Sequence, residues 1–113
     1  MKRIEALVRV NRLDDIKAAL EDAGIRGLSI EQVRGYGIQL GRTDKYRGST
    51  YAVNLLPKLR VEVVVRDEDL NEAIEAIVTV CQTGEIGDGK IFVTDVAEAI
   101  RIRTGERGDA ALT

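Results

Sequence analysis

The sequence contains no histidine among its 113 residues. That removes imidazole acid–base chemistry, the Ser–His and Cys–His nucleophile pairs, and most zinc sites. Its one cysteine, Cys81, cannot close an internal disulfide, which fits a reducing cytoplasm; it is expected to pack inertly in a helix core. No apolar run approaches 18 residues and no charged-then-apolar leader opens the chain, so neither secretion nor membrane insertion is expected. A basic excess is missing too. Seventeen Lys and Arg stand against 19 Asp and Glu, a net charge of −2, unlike a general nucleic-acid or polyanion binder. Together these absences point to binding rather than catalysis, and no enzyme activity is expected.

What is present reads as one α+β domain. At 44% apolar and 32% charged, the chain can bury a two-layer core of modest size. Ile4, Ala6, Val8 and Val10 alternate with polar or outward positions, the period-2 pattern of a strand. Asn11 is placed to cap a helix that carries Leu13, Ile16, Leu20 and Ala23 on one face and ends at Gly24. Leu28 to Val33 reads as a second strand. Leu59, Val61, Val63 and Val65 mark a third, with Val64 making its other face partly apolar. Asp67 then caps a helix with Leu70, Ala73, Ile74, Ile77, Val78 and Cys81 at helical spacing. Lys90 to Val96 is the last strand.

The two halves repeat. A shift of 57 residues lays Ile4–Arg9 on Val61–Arg66, Leu13 on Leu70 and Leu20 on Ile77. Two strand–helix–strand units joined in this way give βαββαβ, the ferredoxin-like double βαβ arrangement. Both helices would cover one sheet face. The other, with Leu7 and Val64, would be bare and apolar in a monomer, which predicts a homo-oligomer. Between the second and third of these strands lies a stretch of little periodicity, Gly37 to Pro57. It is expected to be a long protruding loop, of the functional kind that such a connection signals in a compact domain.

The most pointed segment is Thr83 to Val93, TGEIGDGKIFV, where three glycines end on Lys90 and lead into a strand. Gly84 to Lys90 matches the letters of a P-loop, but Ile91 stands where Ser or Thr would hold Mg²⁺, and a strand follows instead of a helix. A glycine turn still gathers backbone amides into an anion-binding concavity. RIRTGE follows, with Arg101 and Arg103 on alternate positions. Loop, lysine and arginines together describe a polyphosphate pocket.

YRGSTY at 46–51, LLPKLRVEVVV at 55–65, TGEIGDGKIFV at 83–93 and RIRTGE at 101–106 together resemble the PII nitrogen-signalling proteins. The resemblance runs over essentially the whole chain, in order. It implies a single 1–113 domain and a homotrimer with nucleotide sites between neighbouring subunits. Three segments carry the function: an effector and partner loop at 37–55, a phosphate loop at 82–90, and a C-terminal basic loop at 101–106. Gly87, Asp88, Gly89 and Lys90 would face the phosphates of ATP or ADP, with Arg101 and Arg103 reaching in from the adjacent subunit. Gly35, Tyr36, Gly37 and Val64 would line the nucleotide on one side; Gly27, Leu28, Ser29, Glu62 and Val63 would hold adenine and ribose from the other. Gln39 would coordinate Mg²⁺ with the ATP phosphates, and that metal would receive 2-oxoglutarate. Lys58 would pair with the effector's distal carboxylate, while Leu40 and Gly41 wrap it.

Further implications concern the loop. Tyr51 matches a tyrosine nucleotidylylated in some members, and Ser49 a serine phosphorylated in others. An ammonium transporter, a biosynthetic kinase and a nucleotidyltransferase are family kinds of target. The chain departs from the family pattern at Ile38 and Leu40, where basic residues are common, at Glu85 in place of a frequent lysine, and at Val10 in place of proline. Ile38, Leu40 and Glu85 leave room for a PII-like sensor of another small ligand, and a slow ATP-hydrolysing enzyme using the same pocket is the other alternative. Arg9 reads as a surface strand charge in preference to a second cation near the effector.

Overall fold

The computed structural model describes residues 1–35, 43–46, 49–52 and 55–113. Tyr36, Gly37, Gln39, Leu40 and Gly41 lie outside the described residues, and so does Ile38. Six strands and two helices follow in the order β1 (Lys2–Val8), α1 (Leu13–Asp22), β2 (Ser29–Gly35), β3 (Thr43–Tyr46), β4 (Ser49–Ala52), β5 (Leu56–Val65), α2 (Leu70–Cys81) and β6 (Lys90–Asp95).

β2, β5, β1 and β6 form one four-stranded sheet in that spatial order, every neighbouring pair antiparallel. This is the ferredoxin-like double βαβ arrangement, with the two halves interleaved at β1 and β5. Ile4 faces Val63 and Ala6 faces Val61 across the central pair. The alternation in both strands therefore delivers Ile4, Ala6, Val8, Leu59, Val61, Val63 and Val65 to one buried face. Ile16 and Leu20 of α1 and Ala73, Ile77 and Cys81 of α2 close that face from above. These are the helical positions that the periodicity selected.

The internal repeat reaches further than side-chain pattern. A 3₁₀ turn at Val10–Arg12 precedes α1 and another at Asp67–Asp69 precedes α2, again 57 residues apart. The matching hydrogen bonds run from Arg12 N–H to Arg9 C=O (3.1 Å) and from Asp69 N–H to Arg66 C=O (3.0 Å). Asn11 and Asp67 sit inside these turns and do not cap the helices; Arg12 and Asp69 occupy the N-cap positions, and neither makes a side-chain capping bond. The turns tighten each helix entry, so the orphan amides need no side-chain oxygen. At the far end of α1, Gly24 takes φ +77° and its N–H bonds to Glu21 C=O, the stop that its position predicts.

One expectation is refined and another changes. The long loop between β2 and β5 contains β3 and β4, paired antiparallel from Thr43 opposite Ala52 to Tyr46 opposite Ser49. Ser49 and Tyr51 therefore belong to a two-stranded ribbon. Apart from Tyr46, Tyr51 and Ala52, TDKY and STYA are polar, so no hydrophobic alternation announced them. The outer sheet face is also less apolar than Leu7 and Val64 suggested. It carries Arg60 at its centre, ion-paired with Glu5 (3.2 Å) and Glu31, while Phe92 next to Glu5 is half exposed.

Candidate functional site

Two groups of the sequence-selected residues assemble at opposite ends of the four-stranded sheet. The first is built around the glycine loop that joins α2 to β6. Gly84, Gly87 and Gly89 all adopt positive φ. At Gly89 the requirement is doubled: φ is +105°, and a Cβ there would lie 1.8 Å from the carbonyl oxygen of Leu7. Only glycine lets the loop press against β1 and deliver Lys90 opposite Leu7.

Asp88 organises this loop. Its carboxylate accepts bonds from the Thr83 amide (2.7 Å), the Thr83 hydroxyl (2.5 Å) and the Gly84 amide (2.9 Å), and pairs with Arg9 (2.5 Å). The Thr83 hydroxyl first, and the Arg9 guanidinium second, hold its pKa well below the usual carboxylate range. The Asp88 side chain is thus turned back onto the loop and occupies two of the loop amides. The positive character of this loop therefore rests on its remaining backbone amides and Lys90.

Arg9 is not a free surface charge. Besides Asp88 it donates to the Ile86 carbonyl at 3.3 Å, so it ties the end of β1 to the loop across 79 residues of sequence. Lys58, on β5, donates to the Gly87 carbonyl at 3.0 Å. Partial burial, followed by the nearby Arg9 charge, lowers the Lys58 pKa; an anion arriving there would be welcomed by two cations. Gly35 closes β2 at this same end, where a Cβ added to it would lie 3.3 Å from Cγ of Lys58. Asp88, Gly89 and Lys90 also border a cavity of 320 Å³ floored by Ile77, Cys81 and Ile91. Burial pushes the Cys81 thiol up, which leaves it a packing residue.

The second group lies at the other end. Gly27 turns the chain with φ +79° into β2, Leu28 packs partly buried against the core, and Ser29 pairs with Glu62. Val63 is buried beneath them. β6 runs toward this end, since Asp95 pairs with Lys2, and the C-terminal segment continues beyond it. There a 3₁₀ turn at Gly108–Leu112 reaches β5, and Leu112 borders a 230 Å³ cleft with Val64, Val65 and Arg26. Arg101 is held by Glu106 (2.6 Å) and the Ala110 carbonyl (3.1 Å), in a loop closed by Arg101 N–H to Glu106 C=O (2.8 Å). Arg103 is exposed and makes no ion pair among the described residues.

The ends do not meet within one chain. Lys58 and Glu62 are four residues apart on β5, a separation of ~13 Å at strand rise. Lys90 and Asp95 span β6, ~17 Å, before the arginine segment begins. Val64 belongs by position to the Glu62 end, whereas Gly35 pairs with Leu56 at the Lys58 end. Among the described residues, no group of three or more acidic or cysteine side chains could hold a metal ion, and no helix is long and apolar enough to cross a membrane.

The nitrogen regulatory protein P-II family model matches residues 1–106. The chain belongs to that family. It is similar to the P-II protein of Haemophilus influenzae, with 54% identity over 99% of this chain and 100% of the relative. The Pasteurella multocida P-II protein is 52% identical over the same shares. The P-II 2 protein of Methanothermobacter thermautotrophicus is 52% identical over 99% of this chain and 97% of its own length. These relatives are named as regulatory proteins and not as enzymes, and membership makes the chain a signal-transduction regulator.

The sequence pointed to the glycine loop, Lys58, Lys90 and both arginines, and passed over Thr83. Its signal was the Thr–Gly start of a turn with an aspartate five residues on, since both residue types bond readily to nearby backbone.

Proposed function

We propose that the chain acts as a homotrimeric sensor of ATP or ADP and, with MgATP, of 2-oxoglutarate, and controls target proteins through its 37–55 segment. The observation that carries this reading is the division of the site. The phosphate loop with Lys58 and Lys90 occupies one end of the sheet, and Gly27–Ser29, Glu62 and the Arg101–Arg103 segment occupy the other. A complete pocket needs the head of one copy against the tail of the next, and such heterologous contacts close into rings.

In that pocket the free loop amides, Lys90 and Arg103 offset phosphate charge, with Arg101 added when it exchanges its Glu106 bond for ligand oxygens. Mg²⁺ would arrive with the nucleotide and favours octahedral oxygen ligation, with Gln39 the candidate protein ligand. The effector's distal carboxylate would lie against Lys58, whose ammonium is otherwise satisfied by the Gly87 carbonyl. The binding of 2-oxoglutarate then depends on MgATP, a positive coupling typically worth ~1–3 kcal/mol. An ammonium transporter, a biosynthetic kinase or a nucleotidyltransferase is the proposed kind of target, and Tyr51 or Ser49 the proposed place of modification.

Calorimetry tests the reading. Titrating 2-oxoglutarate into protein with MgATP, with ADP and with no nucleotide should give strong binding only in the first case. Binding that ignores the nucleotide, or none in any case, contradicts the mechanism. Phosphate release at ordinary enzyme rates would favour the hydrolytic alternative.

A further inference from the structure

The loop amides that would meet a phosphate are useful only if the loop already has the right shape, because ordering it on binding would subtract from affinity. The structure shows what holds that shape. The Asp88 carboxylate sits at the centre, with the Thr83 amide and hydroxyl on one side, the Gly84 amide beside them and the Arg9 guanidinium opposite. The Thr83 hydroxyl serves twice, donating to Asp88 and accepting from the Glu85 amide at 3.2 Å. Arg9 also serves twice, through Asp88 and the Ile86 carbonyl. None of these side chains is part of the buried core.

We infer that Thr83 and Arg9 are positioning residues of the nucleotide site, acting through Asp88 to preset the glycine loop before a phosphate arrives. This rests on the nucleotide-sensing reading above. The hydroxyl and the guanidinium bind different parts of one carboxylate, and that carboxylate bridges the loop's first turn (Thr83, Gly84) to its last (Asp88, Gly89). Removing either partner releases the bridge at one end and lets the amides between Glu85 and Gly89 drift. A threonine hydroxyl, rather than its methyl group, is what the clamp uses, so serine suffices at this position and valine does not.

The test uses the full-length protein with MgATP and with ADP, measured by calorimetry in the wild type, Thr83→Val, Thr83→Ser, Arg9→Met and the Thr83→Val/Arg9→Met double variant. Thermal midpoints are recorded alongside. Thr83→Val and Arg9→Met should each weaken both nucleotides about tenfold, as expected for losing a hydrogen bond to a charged group, with the thermal midpoint somewhat lowered but the protein folded at the temperature of the titration. Thr83→Ser should restore wild-type affinity. The double variant should lose little more than either single one, because both act through one carboxylate. If wild type binds nucleotide and Thr83→Val binds equally well, or Thr83→Ser is as weak as Thr83→Val, the clamp is overturned while the sensing function stands. Fully additive losses in the double variant likewise overturn it. A wild type that binds neither nucleotide overturns both readings together.

Discussion

The ammonium of Lys58 donates to the carbonyl of Gly87, 3.0 Å away and 29 positions later in the chain. One residue near the start of β5 thereby touches the loop assigned to phosphate. The bond places the proposed effector contact and the proposed nucleotide contact side by side at one end of the sheet.

Replacing Lys58 by Ala separates their contributions. The loop keeps its Thr83, Gly84 and Arg9 bonds to Asp88, so MgATP binding should stay within about threefold of wild type. Effector binding should fall by at least about thirtyfold, equivalent to about 2 kcal/mol for a lost charge-assisted contact. Parallel calorimetric titrations check both numbers, and equal losses of the two ligands would show that Lys58 supports the loop instead.

Gly89→Ala should be among the most damaging single changes outside the core. The added carbon meets the Leu7 carbonyl and the backbone has φ +105°, so strain and clash together should cost about 2–3 kcal/mol. Denaturant unfolding should show the lower midpoint, with nucleotide binding lost alongside. Gly84→Ala meets no neighbouring atom and should cost less, since only its backbone angle is strained.

Asp88 gives the acid limb of stability a specific source. Its pKa is depressed in the fold by Thr83 and Arg9, so folding favours the charged form. The stabilisation is therefore fully present above the ordinary carboxylate value of about 3.8 and is lost as pH falls below it toward the depressed value. Asp88→Asn should be less stable than wild type by a constant amount at pH 5 to 8, and the gap should narrow below pH ~4. Urea midpoints across pH 2.5–8 measure this, and a gap that widens in acid would contradict the assignment.

Much of the fold was legible because the core obeys simple periods. β1 and β5 alternate, α2 repeats every three or four residues, and the 57-residue shift aligns them down to their 3₁₀ turns. β3 and β4 escaped because polar strands in a two-stranded ribbon carry no burial pattern. The outer face was misjudged because Leu7 and Val64 were visible in their own strands, whereas Arg60, Glu5 and Glu31 become neighbours only through pairing. At the site, glycines and cations stood out as residue types. The link between Arg9 and Asp88 did not, since no local spacing joins residues 79 apart.

The central claim is that a complete nucleotide site needs two copies. Lys90→Ala damages only the loop end and Arg103→Ala only the tail end, so each variant alone should bind ATP weakly. Co-expressing the two with different affinity tags and purifying the mixed oligomer gives the decisive sample. In a head-to-tail trimer, every mixed assembly contains a single junction at which an intact loop meets an intact tail. Calorimetry should therefore find one wild-type-strength ATP site per mixed trimer; the absence of any restored site would contradict the account.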